Sequence, residues 1–360
     1  MAWRWHGKGL GLFSWSVSGK RGGEVLEYVK RIIENNNNIH KPDGRPNVLL
    51  FSTPRSGSTW LMELILTQSG FKPCDEPFDL RQRHVHLPLA KAGVTDWPHL
   101  YDTEHAGALE DYLKGTCDGR LHLTDRFFYR NHFRIITRRV VFKILHAGED
   151  RINRWRDVCN GRVAYLVRHP LPVSLSRKSL PRLETFLNSE YRSHFDASQL
   201  RLARRIADTG NDLERGVLDW CLQNAVPFKQ RTPDWTVVTY EQLVIDPLPL
   251  IDHLAESLGL EKSVRMRRRL AIASASTRQS DTLTRNTLTH RNEGQPSQGN
   301  AWLVEKWRAR ISEDEERRAM DILPAFGLEI YRAGSALPHH NAWIGSSAVN
   351  PLTPPVGAGR

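Results

Sequence analysis

Val48-Leu49-Leu50-Phe51-Ser52-Thr53-Pro54-Arg55-Ser56-Gly57-Ser58-Thr59-Trp60-Leu61 sets the reading of the whole chain. It opens with an apolar run that reads as a buried parallel strand. A tight polar loop follows, then Trp60, Leu61, Leu64, Ile65 and Leu66 at helical spacing. Strand, loop and helix start together make an anion cradle. The first N–H groups of a helix have no intrahelical partner, and the helix dipole adds positive potential. Gly57 lets the backbone come close to the anion, while Ser56, Ser58 and Thr59 add hydroxyl donors and Arg55 a cation. The nucleotide-triphosphate loop G-x-x-x-x-G-K-[ST] is absent: no Gly-Lys pair occurs here, and the cation precedes the glycine.

Working outward, the 360 residues suffice for one large α/β domain or two small ones. Hydrophobic content of 39%, with 11 Trp and 12 Phe, supports a sizeable core. A mean hydropathy of -0.49 and the lack of a long apolar run exclude an ordinary transmembrane helix. The net charge of +11 and pI near 9.7 point to an anionic ligand, a nucleic acid or an acidic membrane. Cys74, Cys117, Cys159 and Cys221 lie far apart without a C-x-x-C, which suggests neither a zinc knuckle nor a redox pair. The simplest reading is a reducing compartment and a soluble, cytoplasmic protein.

Residues 1–44 read as an arm with a short helix. The acid-free start carries Arg4, Lys8, Lys20 and Arg21 among Trp3, Trp5 and Trp15, and Glu24–Glu34 has helical spacing. Residues 45–332 read as the domain. From Ala333 the chain is rich in Pro, Gly and Ser without periodicity, so 333–360 reads as a disordered tail.

Within the domain, Gly70 reads as the end of the first helix. Cys74-Asp75-Glu76-Pro77-Phe78 then holds a carboxylate before proline, which predicts extended geometry at Glu76. His84, His86, His99 and His105 have no metal-motif spacing. Arg126–Arg134 interleaves bases with aromatics and reads as a helix with an aromatic core face. Val140–His146 is a second buried strand with Lys143 and His146 near its carboxyl end, where α/β sheets bind ligands. Val163–Val167 is a third strand, ending in Arg168-His169-Pro170-Leu171-Pro172. That arginine stands at the sheet edge, where a guanidinium grips phosphate, and Ser176 lies about two turns into the next helix. Leu213–Phe228 reads as a helix and Trp235–Glu241 as a fourth strand. Residues 274–300 read as a flexible loop, and Ser312–Glu315 as a helix cap.

The order Pro54-Arg55-Ser56-Gly57-Ser58-Thr59-Trp60 resembles the 5′-phosphosulfate loop of sulfotransferases that use 3′-phosphoadenosine 5′-phosphosulfate (PAPS). Arg168 with Ser176 eight positions on resembles that family's 3′-phosphate site. The resemblance implies a three-layer α/β/α fold with a mainly parallel sheet, of the P-loop-containing nucleotide hydrolase type. It implies PAPS as co-substrate, no metal, and a hydroxyl or amine acceptor such as a glycan or small alcohol. Arg55, Ser56, Gly57, Ser58, Thr59 and Trp60 would hold the 5′ end, and Arg168 and Ser176 the 3′-phosphate. Tyr240 would help hold adenine, and Arg291, where the family's Arg-Lys-Gly is absent, would help cover the 3′-phosphate. Glu76 is the first candidate base. His146 is the second, because Lys-Ile-Leu-His is one residue longer than the family's Lys-Thr-His, and a one-residue slip in a strand turns a side chain to the other face. Two other readings remain: a P-loop kinase or nucleotidase, whose Mg²⁺ ligands are not apparent, and a non-catalytic polyanion or nucleic-acid binder.

Overall fold

The computed structural model of the chain describes residues 39–121, 132, 134, 136–177, 181–272 and 301–344. The expected arm helix at 24–34, most of the 126–134 aromatic run and the loop around Arg291 lie outside these residues.

Seven strands are present among them: β1 (Ile39–His40), β2 (Asn47–Ser52), β3 (Phe71–Asp75), β4 (Ile136–Thr137), β5 (Arg139–Ile144), β6 (Gly161–Val167) and β7 (Thr236–Thr239). β1 and β4 form a small parallel pair. The other five form one sheet in the order β3-β5-β2-β6-β7, and every neighbouring pair is parallel. Helices cover both sides of the sheet. A parallel sheet covered on both faces favours continuous apolar strands. Accordingly β2 and β5 are buried at every position, with Leu49 beside Phe142 on one side and Val163 on the other.

The strand order decides where a ligand can sit. From β2 the chain crosses to β3 on one side of the sheet, while from β6 it continues to β7 on the other. Adjacent strands whose connections leave in opposite directions open a crevice at their carboxyl ends. That crevice lies between β2 and β6, where the Thr53–Gly57 loop meets Arg168.

Helix α1 (Ser58–Ile65) packs against the sheet through Trp60, Leu61, Met62, Leu64 and Ile65, all buried, each stabilising by about 1.5–3 kcal/mol. It ends at Ile65 with Leu66 as its cap. Gly70 is therefore not the helix cap. Its φ of 83° lets the chain turn into β3, and its carbonyl accepts the Arg138 and Arg139 N–H groups. Helix α2 (Pro170–Leu175) starts on its proline, whose missing N–H costs nothing at a helix start. It has six residues, so Ser176 caps its end instead of lying two turns inside. Helix α3 (Asp212–Gln230) begins on an Asn211–Glu214 capping box, and helix α4 (Tyr240–Ile245) follows β7 directly. Ser312 and Glu315 form the expected reciprocal cap. No helix among the described residues is long and apolar enough to cross a membrane.

Residues 333–344 overturn the expectation of a disordered tail there. Ala336 is buried, Trp343 and Ile344 pack on the core, and Ile344 exchanges two hydrogen bonds with the Gln242 side chain. Apart from one 3₁₀ turn at His340–Ala342 the segment has no regular element, and side chains from elsewhere satisfy part of its backbone. His169 is one of these. Its Nδ1 accepts the Leu171 N–H at 3.3 Å, so Nε2 carries the proton and donates to Ser335 O at 3.1 Å. Its ring stacks on Trp307.

Burial holds the His169 imidazole down at about 3, although the Ser335 carbonyl pulls the other way. The folded chain therefore binds fewer protons at this site than the unfolded chain, whose histidine titrates near 6.5. The contribution is complete above that value and is lost as pH falls toward 3. Urea unfolding should show His169 removing about 1.4 kcal/mol per pH unit below 6.5. In His169→Gln the loss of stability between pH 6.5 and 4.5 should be correspondingly shallower.

Candidate functional site

The loop leaves β2 through two left-handed residues, Arg55 at φ 74° and Gly57 at φ 94°. Ser56 N–H closes the turn on Thr53 O at 3.2 Å. Gly57 is the N-cap of α1 and supplies no side-chain cap, so the helix's first N–H groups have no capping side chain. Ser56 Oγ is buried and has no hydrogen-bond partner among the described residues. Glycine is required at 57 for a second reason: a Cβ would stand 2.7 Å from Tyr240 Cδ2.

Tyr240, the first residue of α4, therefore lies close against the loop. The Arg168 guanidinium sits 4.1 Å from the centre of the same ring. Its Nη1 donates to Arg55 O at 3.0 Å, while its buried Nε has no partner among the described residues. The Arg168 carbonyl accepts the Trp220 indole N–H of α3 at 3.1 Å. The Arg168 backbone is thus anchored below and its guanidinium reaches across the crevice. Next in the chain, His169 N–H donates to Glu241 Oε1, and Tyr331 donates to the other oxygen of that carboxylate. Burial raises the Glu241 pKa, against these hydrogen bonds.

The carboxyl end of β5 carries a second cluster. Lys143 Nζ is buried, 2.5 Å from Asp75 Oδ1, 3.3 Å from Glu76 Oε1 and 3.3 Å from Thr59 Oγ1. It ties the first turn of α1 to the acids after β3. Glu76 N–H donates to Lys143 O, which continues the ladder by one bond before the chain turns. The turn places Glu76 at φ 49°, in the left-handed region. The expected extended geometry before Pro77 is therefore wrong: proline disfavours the right-handed helix at the preceding residue, and the chain turned the other way.

His146 lies beyond the last ladder residue, Ile144, so the feared strand slip does not apply. Its Nε2 is 3.9 Å from Glu76 Oε2, and the Trp97 ring stands edge-on at 5.4 Å. Burial, helped by the Arg182 charge, holds the imidazole well below its ordinary range and therefore neutral at pH 7. Asp79 shifts in the same direction, which for an acid favours the charged form. Despite burial, hydrogen bonds from Arg81 and Gln82 keep its carboxyl down at about 2. Glu76, Asp79 and His146 each bring one metal-type ligand atom within 4.8 Å of the others. Lys143 on Glu76 and Arg81 on Asp79 already balance both carboxylates.

The structure thus gathers Arg55, Gly57, Arg168 and Tyr240 at one point, and Glu76 with His146 at another. Thr59, through Lys143, links the two. Ser58 and Trp60 lie on the first turn of α1, both buried. Ser176 does not join the Arg168 cluster: its Oγ donates to Val173 O at 2.8 Å, at the end of its own short helix. Arg291 lies outside the described residues. Asp75 is the member that sequence reasoning passed over, and Lys143, noted there only as standing near a strand end, was given no role. The signal was available, since a lone lysine inside Val140-Val141-Phe142-Lys143-Ile144 must find a buried partner. A separate cleft of about 650 Å³, lined among others by Phe195, Phe228, Lys229, Arg231 and Arg332, shares no residue with either cluster.

Gly57→Ala tests the loop directly. The clash with Tyr240 and the left-handed φ should together cost about 1–3 kcal/mol in urea unfolding. Adding Tyr240→Ala should relieve only the clash, leaving part of the loss.

No family model matches the chain, and no curated protein does. Solved structures similar to it are sulfotransferases. The sulfotransferase domain from the curacin biosynthetic pathway is 15% identical, with 76% of this chain and 98% of that one covered at a TM-score of 0.36. The sulfotransferase domain of the Synechococcus PCC 7002 olefin synthase is 20% identical, with 76% and 96% covered at 0.32. Mouse sulfotransferase SULT7A1, complexed with PAP, is 13% identical, with 77% and 82% covered at 0.36. Likenesses this distant carry no argument about chemistry.

Proposed function

We propose that this chain is a PAPS-dependent sulfotransferase that moves a sulfuryl group to a hydroxyl or amine. The observation that carries the reading is the meeting of Arg168 with the Thr53–Gly57 loop at the switch point of the sheet, Nη1 3.0 Å from Arg55 O. A nucleotide with phosphates at two positions needs two cationic or N–H-rich grips joined by a face for its base. The loop, the guanidinium and the Tyr240 ring offer these together. The unpartnered buried Ser56 Oγ and Arg168 Nε are the donors such a ligand would satisfy.

In this reading the loop and the start of α1 hold the 5′-phosphate by N–H and hydroxyl donors. Arg168 takes the 3′-phosphate. Arg55 and Lys143 stabilise charge that grows on the bridging oxygen as the sulfuryl group leaves. Such transfers are in line, so positioning and charge stabilisation supply most of the catalysis. A base beside the acceptor, Glu76 or His146, receives its proton. PAPS supplies the activated sulfuryl group, and the chain's residues need no metal for these roles. The basic surface, with Arg55 and Glu76, favours a carbohydrate acceptor. A cytoplasmic location is part of the same proposal, and Cys74, Cys117, Cys159 and Cys221 are all unbridged and buried.

Adenosine 3′,5′-bisphosphate should raise the melting temperature, and Mg-ATP should not. At a hundred times its Kd the stabilisation is about 2.7 kcal/mol. Steeply salt-dependent DNA binding with no nucleotide effect would instead favour a polyanion binder. Removing the guanidinium in Arg168→Ala should weaken the bisphosphate by roughly 10- to 100-fold, the worth of a charged hydrogen bond. Transfer from labelled PAPS, screened over acceptor classes, should fall in Arg55→Ala.

A further inference from the structure

Beyond β5 the chain makes a turn with two successive left-handed residues, Ala147 at φ 69° and Gly148 at φ 79°. A non-glycine residue held there is strained and persists only where its surroundings over-determine it. They do so here. Leu145 O accepts Arg182 Nη1 at 2.6 Å and Gln223 Nε2 at 3.3 Å. Ala147 N–H donates to the Tyr101 hydroxyl at 3.3 Å, and that hydroxyl donates to Glu149 Oε2 at 3.0 Å. Arg182 Nη2 closes the frame on Glu149 Oε1. Gly148 lies against Trp155 so closely that a Cβ would stand 2.0 Å from Cζ3. Tyr101, Glu149 and Arg182 are all buried.

His146 rides on this turn without taking part in the frame. Its Nδ1 has no hydrogen-bond partner among the described residues, and its Nε2 faces Glu76. A buried ion pair is a poor way to stabilise a fold, since apolar residues of the same volume do as well or better. A strained turn held by one directly beside a candidate base has a different use.

We propose that Tyr101, Glu149 and Arg182 are a positioning clamp that presents the His146 imidazole to the acceptor, so that His146 and not Glu76 takes the acceptor's proton. This rests on the sulfotransferase reading above. As the acceptor oxygen bonds to sulfur, its proton passes to the imidazole. The bond from sulfur to the 5′-phosphate oxygen breaks, and that oxygen keeps the electron pair. Burial and Arg182 keep the ring neutral against the pull of Asp79, with Arg81 and Arg177 adding to Arg182, so a lone pair is present at pH 7. Glu76, the acid facing the ring, has its other oxygen 3.3 Å from Lys143 and orients the imidazole.

The test uses the full chain with the acceptor found by the labelled-PAPS screen. Arg182→Gln alone leaves Glu149 as an unpaired buried charge and risks unfolding, so Arg182→Gln/Glu149→Gln and Tyr101→Phe are measured beside it. In the folded double variant kcat should fall 10- to 100-fold with KM for PAPS and the bisphosphate melting shift unchanged, the scale expected for a misplaced reacting group. The acid limb of the pH profile should move upward, because the Arg182 charge no longer disfavours the imidazolium. Arg182→Lys, which keeps the charge, should leave that limb in place. His146→Asn should abolish the limb and lower kcat by about 10²–10⁴. An unmoved limb and kcat in the folded double variant, or a limb that survives His146→Asn, overturns the clamp. If the wild-type chain neither transfers label nor is stabilised by the bisphosphate, the sulfotransferase reading itself fails and the clamp falls with it.

Discussion

A parallel sheet covered on both faces leaves only the ends of its strands for polar chemistry. Everything else in this molecule answers to that constraint. β2 and β5 give every side chain to the core. The strand order then makes one strand end different from the rest, because β2 and β6 lie side by side while their connections depart in opposite directions. The Thr53–Gly57 loop and Arg168 meet there, and Tyr240, which follows β7, lies against both.

Backbone strain is confined in the same way. Among the described residues, four non-glycine positions have positive φ, and three of them, Arg55, Glu76 and Ala147, stand at the candidate site. Each is held by bonds from other elements: Arg168 on the Arg55 carbonyl, Lys143 O on the Glu76 N–H, Tyr101 on the Ala147 N–H. Strain that persists at three neighbouring points, each fixed from outside, marks a place where geometry matters more than local comfort.

Buried charge follows the same logic. Lys143, Arg177 and Arg182 each lie inside the protein against a carboxylate, respectively Asp75, Asp219 and Glu149. Losing one partner of such a pair leaves a charge that cannot reach water. The pairs therefore bind the fold and the site to each other. At the far side, Glu241 and His169 tie the turn after β6 to the segment through Tyr331 and Ser335. The last described residues thus help hold the backbone that carries Arg168.

The sequence by itself determined the α/β class, the buried strands and the loop at 53–59, because these rest on local periodicity and on the chemistry of a short contiguous motif. It also singled out Arg168 and His146 as groups near strand ends and, through the family resemblance, Glu76 and Tyr240. Only the tertiary structure decided which of them meet. The reach of Arg168 to the Arg55 carbonyl spans 113 positions, and that of Lys143 to Thr59 spans 84. No local pattern encodes such pairings; the strand order does. For the same reason the structure alone revealed that Ser176 turns to its own helix, that Glu76 takes a left-handed conformation, and that 333–344 pack. Each depends on partners supplied by distant elements, and a partner's position is a property of the fold, not of the residues on either side.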